Sequence, residues 1–113
     1  MYIRCAFFHG RAKPGQEQAF TDYVRERLVP LWTQFPGAQE VRVLRQVEAD
    51  VADPHYEMVL AVRYPDQAAI DRALASPVRA ESREVTRGLL ELYDGTVFHT
   101  VFKADEYPLA GRA

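Results

Sequence analysis

Along residues 57–64, large apolar side chains alternate with small or charged ones, and neither glycine nor proline interrupts the run. Such alternation is typical of a β-strand whose two faces are covered differently. The large row is Met58, Leu60, Val62 and Tyr64, and the other row is Glu57, Val59, Ala61 and Arg63. We predict a central strand that ends at Pro65-Asp66, with Asp66 as the N-cap of a following helix.

Three further segments alternate with the same period of two, and we predict strands over residues 2–10, 39–48 and 96–103. In the first, we expect the apolar row Ile3, Cys5 and Phe7 to face the helices. Its other row contains Arg4, Ala6 and Phe8. This second row, like that of residues 57–64, mixes apolar and charged side chains, and it is expected on the opposite face of the sheet.

Two segments repeat apolar residues at three- and four-residue steps, which predicts amphipathic helices. The first covers about residues 16–34, and Pro30 is expected to kink it or restart its last turn. The second runs from about residue 67 to residue 93. Ser76-Pro77 divides it, with serine as N-cap and proline at the first helical position of the second part.

The resulting order, βαββαβ, predicts one α+β domain over residues 1–113 with a polar tail at 104–113. Right-handed crossovers then give a ferredoxin-like antiparallel sheet with both helices on one face. The other face is expected to be too apolar for water, and its predicted members are Phe8, Val59, Ala61, Phe98 and Phe102. We therefore expect a homodimer through the open sheet face, forming an α/β barrel.

Charge and composition exclude several classes of partner. The chain has 113 residues, a net charge of −2 and 48% hydrophobic residues, which gives no reason to expect nucleic acid or a membrane. Its one cysteine, Cys5, excludes an internal disulfide and is typical of a protein of the reducing cytoplasm. No segment matches a Walker loop, a dinucleotide-binding fingerprint or a zinc-ligand spacing.

Three segments carry a resemblance to a known family: RAKPG at 11–15, VPLWTQFPG at 29–37 and VRYPDQAAIDRALASP at 62–77. With these motifs the chain resembles the EthD-like family of the dimeric α/β-barrel superfamily. The resemblance implies a small protein that binds a hydrophobic or aromatic molecule. The implied activity is that of a cofactor-independent monooxygenase, cyclase or isomerase of catabolism or secondary metabolism.

Two positions depart from relatives of known chemistry. Many EthD-like proteins carry a histidine two residues before the proline that Pro30 matches, and here that residue is Leu28. Haem-degrading relatives carry an axial histidine near the position of Arg83. The resemblance therefore implies no haem, and we expect no cofactor and no metal.

His99 and Tyr23 are the candidate catalytic residues, because each could act as an acid or base beside the sheet. Arg4, Glu57 and Arg63 are expected to form a polar cluster on the open face. That cluster could orient a substrate oxygen or could be a salt-bridged part of the dimer interface. Phe8 and Trp32 are the candidate apolar contacts of a substrate, although Trp32 could instead be a core or rim aromatic.

His9 and His55 should lie close together in this fold, although a bulge near Gly10 would be needed to turn both toward one metal.

Two main functions stay open: a cofactor-free enzyme, or a non-catalytic protein that binds a ligand. An open pocket in which His99 or Tyr23 faces Arg4 or Glu57 favours the enzyme. A cavity filled by Phe8, Phe98 and Phe102 favours a structural or interaction role.

Overall fold

All four predicted strands form one antiparallel sheet, and the helices pack on one of its faces. The computed structural model describes residues 1–111. Its elements are β1 (Tyr2–Ala12), α1 (Glu17–Tyr23), a π-helical turn (Val24–Leu28), α2 (Val29–Trp32), β2 (Glu40–Leu44), β3 (Tyr56–Tyr64), α3 (Gln67–Leu74), α4 (Pro77–Leu90) and β4 (Tyr93–Lys103). The strand order β2-β3-β1-β4 places β1 and β3 at the centre. The ferredoxin-like α+β prediction is confirmed.

Side-chain caps divide the second helical segment as predicted. The carboxylate of Asp66 accepts a hydrogen bond from the Ala69 backbone N–H at 2.8 Å, which begins α3. The Ser76 hydroxyl accepts one from the Arg79 N–H at 3.3 Å, and Pro77 follows as the first residue of α4. Each cap gives an otherwise unpaired N–H an acceptor, so both helix starts are encoded locally.

The first helical segment contains a π-helical turn directly before Pro30. The Val29 N–H bonds to the carbonyl of Val24, five residues earlier, and Pro30 has no N–H with which to continue the ladder. The predicted disturbance at Pro30 is therefore a widened turn followed by the short helix α2. Within this turn Leu28 is fully buried, at 0% exposure.

The pairing between β1 and β3 reverses the faces predicted for β1. Ala6 lies opposite Leu60 and Phe8 lies opposite Met58, and directly paired residues share a face of a sheet. Met58 and Leu60 are buried against the helices as predicted. Phe8 therefore faces the helices too, and the prediction that it belongs to the open face is wrong.

Consequently the other β1 row, Ile3, Cys5 and Phe7, lies on the face that no helix covers. We call this surface the open face; it also contains Val59, Phe98 and Phe102. The ring of Phe7 stacks on Phe98, with 5.0 Å between centroids. Phe98 and Phe102 are 42% and 46% exposed, so the open face is apolar as predicted although its β1 members differ.

A bulge interrupts the pairing of β1 with β3 between Phe8 and His9. At this place the Glu57 carboxylate accepts a hydrogen bond from the Ala12 N–H at 2.7 Å. The Tyr93 hydroxyl lies 2.8 Å from the carbonyl oxygen of His9. Desolvation, followed by the charge of Glu57, raises the pKa of Tyr93 to about 12. The phenol is therefore protonated and acts as a structural donor at the bulge.

None of the helices within residues 1–111 combines the length and apolar character needed to cross a lipid bilayer.

Candidate functional site

A cavity of about 760 Å³ lies between the helix-facing side of the sheet and α4. Its apolar lining is Ala6, Phe8, Trp32, Phe35, Leu60, Ala80, Leu90 and Val97. Its polar lining is Arg4, Arg79, Ser82, Arg83, Glu84, Thr86, Arg87 and His99. A volume of several hundred Å³ with mixed walls is typical of a small-molecule site. Phe8 lines this cavity, whereas Phe98 and Phe102, which were also expected to fill it, lie on the open face.

His99 projects into this cavity from β4. It lies opposite Ala6 in the register of β1 with β4, and Arg4 lies opposite Val101. Arg4 and His99 are thus diagonal neighbours on one face, within reach of a long side chain. This is one of the pairings that favours an enzyme.

The imidazole of His99 is neutral at physiological pH. Desolvation, followed by the positive charges of Arg4, Arg79 and Arg83, lowers the pKa of His99 to about 4. The side chain keeps contact with solvent through the open cavity, so desolvation is partial. A neutral imidazole has one nitrogen free to accept a proton.

Three arginines are near enough to His99 for their charges to act on it. Arg79 and Arg83 lie one turn apart on α4, and Arg4 approaches from β1. Desolvation, followed by the charge of Arg79, lowers the pKa of Arg4. Desolvation and the charge of Arg83 lower the pKa of Arg79. Arg4 and Arg79 nevertheless stay charged, because an arginine titrates far above neutral pH.

The arginines of α4 were not predicted as site residues. Arg83 and Arg87 are one turn apart, a spacing usually found on a solvent-facing surface. Arg79, Arg83 and Arg87 all line the cavity. Their spacing of four residues places three cations on one helix face, and this repeat was the available signal.

Four of the seven predicted site residues line the cavity: Arg4, Phe8, Trp32 and His99. Tyr23 does not. Its hydroxyl donates a hydrogen bond of 2.6 Å to the carbonyl of Val85 in α4, and its ring contacts Gly88. The prediction that Tyr23 directs its hydroxyl toward a substrate is wrong, since that hydroxyl joins the first helical segment to α4.

The predicted cluster of Arg4, Glu57 and Arg63 does not form. Arg4 faces the helices, and Glu57 binds the backbone of Ala12 at the bulge. Arg63 is on the open face, where its guanidinium lies 3.9 Å from the carboxylate of Glu40. The face reversal of β1 and the bulge in its pairing with β3 explain the error, since both break the simple alternation on which the cluster depended.

Arg63 lines a second, smaller cavity of about 260 Å³ on the open face. The Nε atom of Arg63 is buried and has no hydrogen-bond partner within residues 1–111. Burial raises the pKa of the Cys5 thiol, another lining residue, so this cysteine stays protonated.

The backbones of His9 and His55 lie close together at the bulge between β1 and β3. The His9 ring lies 5.7 Å from the Tyr56 ring, and the His55 carbonyl accepts a hydrogen bond from the Gly10 N–H. Over the described part of the chain, no group of three histidine, cysteine or acidic side chains is arranged to hold a metal ion.

The family model described as antibiotic biosynthesis monooxygenase matches residues 1–85. The chain belongs to this family. No curated protein matches the chain. The resemblance to EthD-like proteins is confirmed at the level of the fold. An EthD family protein is one of several kinds of structural neighbour, and antibiotic biosynthesis monooxygenases are another.

Several solved structures share the fold of this chain. An ethyl tert-butyl ether d (EthD) family protein from Bacillus halodurans superposes with a TM-score of 0.73 at 16% identity, covering 93% of this chain and 100% of that chain. An antibiotic biosynthesis monooxygenase gives 0.62 at 20% identity, covering 94% and 100%. SnoaB, a cofactor-independent oxygenase from Streptomyces nogalater, gives 0.59 at 23% identity, covering 94% of both chains.

Proposed function

We propose that the protein is a cofactor-independent monooxygenase that oxidises a hydrophobic, aromatic molecule held in the 760 Å³ cavity. The observation that carries this proposal is the neutral His99 imidazole placed among guanidinium groups in a cavity that also has an apolar wall. Membership of the monooxygenase family supports the reaction class. The oxygenase from Streptomyces nogalater supports chemistry without a cofactor.

In this proposal His99 is the general base. Its free ring nitrogen takes a proton from an acidic methylene group of the substrate, and the electron pair stays on the substrate as a carbanion. Arg4 lies beside His99 and stabilises the negative charge that develops. Phe8 and Trp32 pack against the apolar rings of the substrate.

The carbanion then reacts with dioxygen. It transfers electrons to dioxygen, a carbon–oxygen bond forms, and the peroxide anion takes the proton back from His99. Loss of water from this hydroperoxide breaks the oxygen–oxygen bond and leaves a ketone. One methylene group and one dioxygen thus give one carbonyl group and one water, so no external reductant is needed.

We further propose that two chains associate through the open face. Nearly half of the Phe98 and Phe102 surface is exposed there, and an apolar surface of this kind is typical of an interface. The buried, unpaired Nε of Arg63 supports the same arrangement, because a partner chain can supply the missing acceptor. The free Cys5 thiol supports a reducing cytoplasm as the location.

The second candidate is a non-catalytic protein of the same fold that binds a hydrophobic ligand. Leu28 favours it, because this residue occupies the histidine position of many EthD-like relatives and is fully buried in the core. In that case the cavity would bind its ligand without consuming dioxygen. A cyclase or an isomerase would also consume no dioxygen. Either enzyme would convert its ligand to a product, whereas a binding protein would leave the ligand unchanged.

Anthrone tests the proposal, because its methylene group is acidic and its oxidation product is a ketone. We expect dioxygen uptake in step with anthraquinone formation, and labelled dioxygen should place one labelled oxygen atom in the product. His99→Gln should lower the rate by roughly a hundredfold to ten-thousandfold, as for loss of a general base. The matched control is His55→Gln, which changes a histidine outside the cavity.

If His99→Gln and His55→Gln turn over anthrone at the same rate, His99 is not the base. Saturable binding of anthrone that is recovered unchanged, without dioxygen uptake, would instead favour the non-catalytic candidate.

A further inference from the structure

The cavity carries an excess of positive charge that the chain does not balance. Four arginines line it, and Glu84 is the only acidic residue among its lining residues. Glu84 lies 3.4 Å from Arg87, and both side chains are exposed. Within residues 1–111, Arg4, Arg79 and Arg83 form no salt bridge with any carboxylate.

Such an arrangement is unfavourable while the cavity contains only water. Like charges that face one another in a partly desolvated space destabilise each other's ionised form. Desolvation, followed by repulsion from a neighbouring arginine, lowers the pKa values of Arg4 and Arg79. An anion between the guanidinium groups would remove the repulsion and add charge-assisted hydrogen bonds.

One wall of the cavity is apolar. Phe8, Trp32, Phe35 and Leu60 line it from the sheet and from the end of the first helical segment. Aromatic side chains offer flat surfaces on which a ring system can pack. A ligand that satisfies the whole cavity therefore needs both an apolar body and a negative group.

We propose that the substrate is an amphiphilic anion, in which a permanently ionised oxyanion contacts Arg4, Arg79 and Arg83 while an apolar ring system occupies the wall formed by Phe8, Trp32 and Phe35. That this ligand is a substrate rests on the proposed function, whereas the preference of the cavity for an anion does not. The oxyanion is a carboxylate or a phosphate, since guanidinium groups bind both through paired N–H donors.

Binding of such an anion would also activate His99. Part of the depression of the His99 pKa comes from the three arginines, and a bound oxyanion would neutralise that part. The imidazole would then become a stronger base only when the substrate is present. The desolvation contribution would remain, so the pKa should rise without returning fully to its ordinary value.

Calorimetric titration with three naphthalene probes of matched shape tests the preference. The probes are 2-naphthoate, 2-naphthyl phosphate and the neutral 2-naphthamide, measured at neutral pH and low salt. At least one oxyanion should bind about tenfold or more tightly than the amide, as expected for charge-assisted contacts. Whichever oxyanion binds more tightly identifies the class of the charged group.

Arg79→Gln and Arg83→Gln should reduce this preference, and Arg79→Lys should restore part of it. Arg72→Gln is the matched control, because Arg72 is exposed on α3 and does not line the cavity. Thermal unfolding of each variant verifies that it folds. The His99 pKa, followed by NMR of the imidazole, should rise when the preferred oxyanion is bound.

Equal affinity for the amide and both oxyanions, or no binding of either oxyanion at millimolar concentration, would overturn the proposal. The proposal would also be overturned if Arg79→Gln and Arg83→Gln kept the preference for an oxyanion over the amide as large as it is in the control Arg72→Gln. Because none of these measurements uses dioxygen, an anion preference without oxygenase activity would refute the proposed reaction alone. Oxygenase activity without the preference would refute this inference alone.

Discussion

Replacing Phe102 by aspartate should separate the proposed dimer without unfolding the chain. Phe102 lies on the open face and is 46% exposed in the single chain. It lies 6.3 Å from the Phe7 ring, in an edge-on arrangement. Phe8→Asp would test folding instead, because Phe8 is 3% exposed and belongs to the core.

The magnitude follows from the exposed area. A phenylalanine side chain of about 200 Å² that is 46% exposed leaves about 90 Å² to be covered by a partner. At about 25 cal/mol per Å², this area stabilises the interface by about 2 kcal/mol for each copy. A two-fold dimer contains two copies, so the substitution should cost about 4 kcal/mol, or about a thousandfold in the dimer Kd.

Sedimentation velocity over a wide concentration range measures that constant. The wild-type chain should sediment as a dimer of two 12.9 kDa chains, and Phe102→Asp should sediment as a monomer at the same micromolar concentrations. The control is Val47→Asp, which adds the same charge at a loop residue that is 97% exposed. Circular dichroism should show the same fold for all three proteins.

A wild-type monomer at high concentration would refute the dimer. Equal dimer Kd values for Phe102→Asp and Val47→Asp would refute the assignment of the open face as the interface. Loss of the circular dichroism signal in Phe102→Asp would contradict the sheet pairing that places Phe102 outside the core.

Three further predictions concern stability. Because folding lowers the pKa of His99 from 6.5 to about 4, the unfolded chain binds the proton more readily, and stability should fall as the pH drops from about 6.5 toward 4. His99→Gln should reduce this pH dependence in urea unfolding, and an unchanged pH profile would contradict the lowered pKa. Tyr23→Phe should lower the free energy of unfolding by about 1 kcal/mol, since the Val85 carbonyl loses its donor; unchanged stability in denaturant would refute that contribution. Asp66→Ala should cost about 1 kcal/mol through loss of the α3 N-cap, whereas Asp71→Ala, an exposed change in the same helix, should cost less than half as much in the same assay.

Several parts of the fold were predictable because their causes are local. Asp66 and Ser76 cap helices with their own side chains, and each has its acceptor atom three residues from the N–H that it binds. Pro30 disturbs the helix because it lacks an N–H, whatever surrounds it. The buried row of β3 was clear because its two faces differ strongly in size and polarity.

The candidate site was only partly predictable, because it depends on which distant residues meet. His99 and Arg4 were both candidates, yet they belong to strands about ninety-five positions apart and meet only through the β1–β4 register. The signal for Arg79 was its four-residue spacing from Arg83, but charged residues on an amphipathic helix usually face water. Tyr23 was misjudged because its partner, the carbonyl of Val85, lies on another helix.

The sequence by itself determined the order of the elements, the ends of the helices, the ferredoxin-like class and the apolar character of the open face. These features follow from periodicity, capping and proline, which act over a few residues. Only the tertiary structure decided which row of β1 faces the helices, because both rows are largely apolar and a one-residue change of register exchanges them. That same choice moved Arg4 and Phe8 from the open face into the cavity, where Arg4 meets His99 and the arginines of α4.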